Sequence, residues 1–437
     1  MGDLNRRSFL KLTAATGATA AAPLTLNAAA AEKVKTKAHI VIAGAGAAGL
    51  GVANRLANQL DGAKITIIDG NKKHFYQPGY TLVATGIKGS SYPTSDTSRY
   101  MPEGVDWIQE TVAEFDPVGN KVVTSSGKAV NYDFLVVTTG MKLDYAAIEG
   151  MDVNRIGQNG LGSHYHSPDA AAKTWSAMSR FSEEGGQGIF LRPATEMKCA
   201  GAPLKFTFLT EHNLRRNGTR SKANLLYAAH SKSLFSVPIV HEKVRMLYED
   251  RGIDTVYSHV LRKIDLDRKI ATFDTPTGSS DIDYDFINVI PPMRAPDAVR
   301  NSPLAWRTGP FAADGWTEVD KYNLQHKVFP NVWCVGDIAG VPKGKTAASV
   351  KWQVPVAIDH LVAAIQDRTA TSQYNGYTSC PLLTQYGRAM LVEFDYKNNL
   401  VPSFPGVIAP LEELWVTWVM KTMALKPTYI SMVRGLA

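Results

Sequence analysis

Ala38-His-Ile-Val-Ile-Ala43 runs without a break into Gly44-Ala-Gly46-Ala-Ala-Gly49. An alanine-rich stretch continues to Leu60, and a second apolar run, Lys64-Ile-Thr-Ile-Ile68, ends at Asp69. The order is strand, glycine turn, helix, strand, with an acid twenty residues past the third glycine. Each part has a physical reason in dinucleotide binding. Gly44 makes the turn, Gly46 lets backbone approach a pyrophosphate, and Gly49 lets helix and sheet pack closely. The helix start, Ala47 and Ala48, then presents its free N–H groups to the phosphates, and Asp69 can accept from ribose hydroxyls. The opening therefore predicts an α/β chain whose first domain binds a dinucleotide.

The 437 residues suffice for two or three domains with real cores. The net charge is +7, of which +5 lies outside the first 31 residues. This modest excess suits small anions or an anionic membrane surface. No basic stripe with interleaved aromatics is present, so no nucleic-acid partner is expected. Residues 1–31 read as a targeting segment: Arg6-Arg7-Ser8-Phe9-Leu10-Lys11, a weakly apolar Ala/Thr run, and alanines where a signal peptidase can cut. Paired arginines with this flank are the twin-arginine type, which places the mature chain in the periplasm.

Downstream, residues 156–290 repeat the alternation of strands and helices: Gly188–Leu191, a helix over Pro203–Arg215, Ala223–Tyr227, a helix over His241–Arg251, and strands near Thr255–His259 and Tyr284–Ile290. This is a second Rossmann-like unit, inserted into a first that spans 37–155 and 291–374. Its glycine fingerprint is missing. Leu191-Arg-Pro-Ala-Thr195 fills the turn, and a proline with bulky neighbours blocks close approach of a pyrophosphate. Nicotinamide binding is not expected.

In place of that fingerprint stands Lys198-Cys199-Ala200-Gly201-Ala202-Pro203. Pro203 is placed to start a helix, and the positive helix end and the Lys198 ammonium both favour a thiolate on Cys199. Cys380, in Tyr377-Thr-Ser-Cys-Pro381, falls in a segment read as irregular, ahead of a strand over Arg388–Asp395. Cys334, inside an apolar run, reads as a small buried hydrophobe. Three cysteines at these spacings make neither a disulfide scaffold nor a metal site. Residues 375–437 carry Leu411, Leu414, Trp415, Trp418, Val419 and Thr422 or Met423 at helical spacing, then a second apolar cluster at Tyr429, Ile430, Met432 and Val433 after Pro427, with Lys421, Lys426 and Arg434 interspersed. That pattern predicts a helix lying in a membrane interface. Packing on the protein's own core, or on a second copy in a homo-oligomer, is the alternative.

Tyr132-Asp-Phe-Leu-Val-Val-Thr-Thr-Gly140 and Asn331-Val-Trp-Cys-Val-Gly-Asp337 resemble the two further FAD contacts of disulfide-reductase-like flavoproteins. More specific are His74-Phe-Tyr-Gln-Pro78 with Thr81-Leu-Val83, Lys198–Pro203, Lys345-Thr-Ala-Ala-Ser349, and Thr378–Leu383 through Glu393-Phe-Asp-Tyr396. Spread in this order over nearly the whole chain, they resemble the sulfide:quinone oxidoreductases, particularly the branch with the mitochondrial enzymes. The resemblance implies FAD contacts at Gln77, Val112, Thr139, Gly140, Gly336, Asp337 and Lys345, beside those of the glycine turn. It implies that Cys199 and Cys380 are a redox pair: sulfide attacks the bridge between them, one keeps a persulfide, and the other passes two electrons to the flavin. Lys345 would steady the reduced ring, Phe394 would border a quinone pocket, and peripheral membrane attachment would follow. With no cysteine in the His74–Tyr80 region, where relatives with attached flavin carry one, the FAD is expected to be non-covalent.

The flavin subunit of a periplasmic sulfide dehydrogenase that hands electrons to a cytochrome c shares these features. So does a non-catalytic flavoprotein using the cysteine pair as a redox sensor. A NADH dehydrogenase of the same superfamily is disfavoured by the missing second fingerprint.

Overall fold

The computed structural model describes residues 32–436, so the targeting segment expected at 1–31 lies outside the described residues. The chain begins with β1 (His39–Ala43), α1 (Ala47–Gln59), β2 (Lys64–Ile68), β3 (Asp106–Ile108) and β4 (Phe134–Val137). It continues with β5 (Leu161–Gly162), β6 (Gly186–Leu191), α2 (Ala202–Asn217), β7 (Ala223–Ala229), β8 (Ile253–Tyr257) and β9 (Phe286–Asn288). It then returns through β10 (Val332–Cys334) and α3 (Ala347–Ile365).

Two five-stranded parallel sheets result. The first runs β10-β4-β1-β2-β3 and the second β5-β9-β6-β7-β8. β10 arrives from far downstream to pair with β4, Val332 opposite Leu135 and Cys334 opposite Val137, so the first sheet is built from two stretches of chain. Ile40, Val41, Ile42, Leu135 and Val137 have no exposed surface, as expected of parallel strands covered on both faces. Cys334 is equally buried, and burial pushes its thiol up to about 12. It is the inert thiol its apolar run predicts.

Backbone geometry accounts for the glycines. Gly44 has φ 114°, and a Cβ there would stand 2.5 Å from the Thr138 carbonyl oxygen. At Gly49 a Cβ would stand 1.8 Å from the Gly44 oxygen. Gly46 faces open space, with nothing within 4 Å of its would-be Cβ. Two of the three glycines thus serve packing, and one leaves room for a ligand.

The C-terminal part departs from expectation at Cys380. Cys380 does not lie in irregular chain. It is the third residue of β11 (Thr378–Gln385), which pairs antiparallel with β12 (Arg388–Phe394). Pro381 is tolerated there because in a two-stranded ribbon both strands are edges. The helical stretch comprises α4 (Trp415–Val419), a π-turn (Met420–Ala424) and α5 (Leu425–Val433); α5 buries Tyr429, Met432 and Val433 in the first core, whereas α4 and the π-turn bury polar side chains. Thr417, Lys421 and Thr422 are buried, Trp415, Trp418 and Val419 are half-buried, and Met423 is 67% exposed. No helix among the described residues is long and apolar enough to cross a membrane.

Gly49→Ala drives its new methyl into backbone rather than a flexible side chain. The expected cost is about 3 kcal/mol, read as a lowered unfolding midpoint, together with collapse of the flavin-to-protein ratio after purification.

Candidate active site

A cavity of about 370 Å³ opens at the carboxyl ends of the first sheet. Its walls include Gly46, Ala47, Ala48, Asp69, Gln77, Thr139, Gly140, Gly336, Asp337 and Lys345, which the sequence singled out. Gly44 and Gly49 stand behind the wall and shape it. Val112 does not line the cavity. It begins the strand Val112–Asp116 of a small antiparallel sheet, half-buried against the first core. Phe394 does not line it either. Only 5% exposed, its ring meets Phe235 edge-on at 5.6 Å, with the Lys343 ammonium 5.3 Å from its centre.

The polar groups of the cavity fit a dinucleotide. The buried Thr139 hydroxyl has no partner among the described residues. The Asp69 carboxylate accepts from the Ala45 N–H (2.6 Å) and the Asn71 N–H (2.7 Å), which leaves lone pairs for ribose hydroxyls. Lys345 Nζ donates to the carbonyls of Asp337 (2.7 Å) and Ala339 (3.1 Å), and burial lowers its pKa to about 8. It still carries its charge at neutral pH. Burial also raises the Asp337 carboxyl.

At one end of this cavity stands Cys199. It has φ 48°, a left-handed conformation that costs a non-glycine residue roughly 1–2 kcal/mol. Three hydrogen bonds hold it: its N–H donates to Lys345 O (2.9 Å), and its carbonyl accepts from the Ala202 N–H (2.8 Å) and the Tyr165 hydroxyl (3.0 Å). Strain sustained in this way marks functional positions.

Cys380 lies against it. A Cβ on Gly201 would stand 2.3 Å from Cys380 Sγ, and the two thiols act on each other's protonation. Gly201 is therefore the gap through which the β11 cysteine reaches the α2 cysteine. Cys199 lines the cavity, whereas Cys380, 3% exposed, sits behind it.

The cation that acts on Cys199 is not Lys198, whose ammonium turns away to Gln77 Oε1 at 2.5 Å. It is Lys205, one turn into α2 and 2% exposed, whose Nζ lies 3.4 Å from Cys199 Sγ. The neighbouring Cys380 thiol and the Lys205 charge together hold the Cys199 thiol well below the ordinary range. The same contact, with burial, raises the Cys380 thiol. A second buried ammonium, Lys421 of the π-turn, donates to Pro78 O (3.0 Å). Burial and the nearby Lys205 charge lower it to about 7. Tyr429 of α5 closes the cavity and bonds His74 Nε2 at 2.8 Å.

Lys205, Lys421 and Tyr429 were not singled out for the site from sequence. Lys205 is three and four residues from apolar neighbours on a helix that is buried almost all round, and a lysine at such a position was the available signal.

A family model described as pyridine nucleotide-disulphide oxidoreductase matches residues 38–177, and a twin-arginine translocation signal model matches residues 3–23. The two sheets and the cavity accordingly define an oxidoreductase of that dinucleotide-binding class, carrying a signal for twin-arginine export to the periplasm. The mitochondrial sulfide:quinone oxidoreductase of Mus musculus is 36% identical over 400 residues, 91% of this chain and 86% of the relative. That of Dictyostelium discoideum is 37% identical over 374 residues, 85% and 81% respectively. The solved structure of the sulfide:quinone oxidoreductase from Aquifex aeolicus shares the fold, with TM-score 0.73 and 20% identity over 91% of this chain and 92% of the other. The chain belongs to the sulfide:quinone oxidoreductase family, and membership implies a flavin cofactor.

Two outcomes check the pair geometry. Gly201→Ala should keep its flavin but lose sulfide-dependent flavin reduction by at least about 100-fold, because a displaced Cys380 no longer meets Cys199. Lys205→Met removes the nearest positive charge, so the Cys199 thiolate forms only at higher pH. The pH profile of Cys199 alkylation should move upward by roughly 1–2 units.

Proposed function

We propose that this enzyme oxidises sulfide at the Cys199–Cys380 pair and passes the electrons through non-covalently held FAD to quinone, working at the periplasmic face of a membrane. The observation that carries the reading is the meeting of two cysteines from distant parts of the chain at the edge of the dinucleotide cavity, under a buried ammonium.

Hydrosulfide attacks the bridge at Cys380. The Cys380–Cys199 bond breaks, a new S–S bond forms to the incoming sulfur, and Cys199 leaves as thiolate. The direction follows from leaving-group ability, since the thiol with the lower pKa leaves faster and Lys205 steadies that thiolate. Transfer of the sulfane sulfur to an acceptor returns Cys380 to a thiolate, and re-forming the bridge releases two electrons from the pair. FAD, when bound, accepts those two electrons and supplies the route to quinone. Lys345, buried and cationic at the cavity wall, offsets negative charge arriving there. His74 and Tyr429 fix the opposite wall.

The outward apolar face of α4 and the π-turn supports membrane association, since Trp415, Trp418 and Met423 border solvent while lysine and threonine point inward. A soluble cytochrome c in place of quinone is the competing acceptor, and nothing in the site favours it.

Anaerobic titration with sulfide should bleach the flavin of the wild type, with Cys199→Ser and Cys380→Ser each at least about 1,000-fold slower. Oxidation of the reduced enzyme by a short-chain quinone should exceed that by cytochrome c. Preference for the cytochrome would overturn the assignment of the acceptor, and bleaching in both serine variants would overturn the role of the pair.

A further inference from the structure

Beside the cysteine turn stands a buried imidazole that the sulfur chemistry above does not use. His164 lines the cavity and is 1% exposed. Its ring stacks on Phe206 of α2, with centroids 5.1 Å apart and planes 15° from parallel, and its centroid lies 4.8 Å from that of Tyr165. Asn288 of β9, equally buried, turns its Oδ1 to His164 Nδ1 at 3.1 Å. A carboxamide oxygen only accepts, so Nδ1 carries the ring proton and Nε2 keeps its lone pair. That Nε2 is buried and has no partner among the described residues. Burial lowers the imidazole to about 4, and the Lys205 charge acts in the same direction. His164 is therefore neutral at neutral pH.

Lys205 directly precedes Phe206, lines the same cavity, and its charge reaches His164. With both cysteines free, as in this structure, Cys199 Sγ receives one of its donors. Once the two sulfurs are bridged, no thiolate is left to face it. Lys205 is still 2% exposed and still beside a second buried ammonium, Lys421. A buried charge without a hydrogen-bonding partner is costly. The Tyr165 hydroxyl is committed to the Lys198 and Cys199 carbonyls. The lone pair on His164 Nε2 is the acceptor that stands open.

We propose that His164, fixed in one tautomer by Asn288, is a positioning residue whose Nε2 accepts a hydrogen bond from Lys205 while Cys199 and Cys380 are bridged, and releases the ammonium when Cys199 leaves as thiolate. The inference rests on the reading of the cysteine pair given above. No proton or electron passes to His164. One hydrogen bond replaces another, and the ammonium follows the negative charge as it appears on Cys199.

His164 thus competes with the Cys199 thiolate for a single cation, which fixes the sign of two measurements on the FAD-loaded protein. The first is the equilibrium between bridge and dithiol in anaerobic dithiothreitol buffers, read by alkylation and mass spectrometry. His164→Leu should shift it towards the dithiol by about tenfold, the usual contribution of a hydrogen bond to a charged group. The second is the pH profile of Cys199 alkylation in the reduced protein. Loss of the competing acceptor should move that profile downward by roughly half a unit to one unit, opposite in sign to Lys205→Met. Cys380, Tyr76, Tyr165, Lys198, Asp337 and Lys421 also act on Cys199 and are the same in every variant. His164→Gln, which keeps an acceptor oxygen and guards against misfolding of the first variant, should stay within about threefold of the wild-type equilibrium. An unchanged equilibrium in His164→Leu overturns the proposal. So does an upward move of the alkylation profile, which is what a loosened, wetter pocket produces. A glutamine variant that behaves like the leucine one overturns it as well. A wild type whose Cys199 and Cys380 never bridge sinks the cysteine-pair reading and this exchange with it, and is visible before any variant is made.

Discussion

The site depends on one contact: the Cys380 thiol, carried by a β-ribbon, lies in the space that Gly201 leaves at the start of α2 and meets Cys199 there. Everything around it keeps that contact asymmetric. A pair of thiols in equivalent surroundings would share charge evenly. Here the Lys205 ammonium lies 3.4 Å from Cys199 Sγ, and of the two cysteines Cys199 alone borders the cavity. The pair therefore has a cavity-facing sulfur beside a buried cation and a covered sulfur behind it.

The strain at Cys199 belongs to the same arrangement. A left-handed cysteine is costly, yet it is bonded at both its N–H and its carbonyl, the former by Lys345, a cavity-wall residue. The hydrogen bond from Cys199 N–H to Lys345 O joins the two Rossmann-like units at the edge of the cavity. The second unit has lost its glycine turn, and the cysteine turn occupies the same topological place. The helix N-terminus that would face a pyrophosphate is there instead beside a thiolate, which it also favours.

Local patterns made much of this legible. The first glycine turn, both parallel sheets and the buried Cys334 follow from short stretches whose physical demands are strict, such as Gly49 against the Gly44 oxygen, whereas the pairing of Cys199 with Cys380 came only through the family resemblance. The parts that were not legible depend on distant chain. Lys198 adjoins Cys199 in sequence, but its side chain is drawn to Gln77, and the working cation is Lys205. The Cys380 segment read as irregular because its strand is defined only by pairing with β12, further along the chain. The C-terminal helix read as two apolar clusters because the π-turn at Met420–Ala424 inserts an extra residue and breaks the 3.6-residue period.

That π-turn also explains how one segment serves two surfaces. An uninterrupted helix would carry its buried face in one slowly drifting line. The inserted residue lets Lys421 and Thr422 both point inward while Tyr429, two turns later, still reaches the cavity wall. The result is a buried ammonium beside the cysteines on the inner side and tryptophan and methionine on the outer. Two ammoniums so near each other cannot both be well stabilised without an anion between them. Lys205 retains its charge beside the two cysteines, and Lys421, bonded to the Pro78 carbonyl, is lowered by burial and by Lys205 to about 7. A further negative charge entering the pocket, as hydrosulfide does, raises the Lys421 pKa and draws a proton onto it. The pocket is thus poised to match each arriving anion with a cation, which offsets much of the cost of desolvating a charged nucleophile.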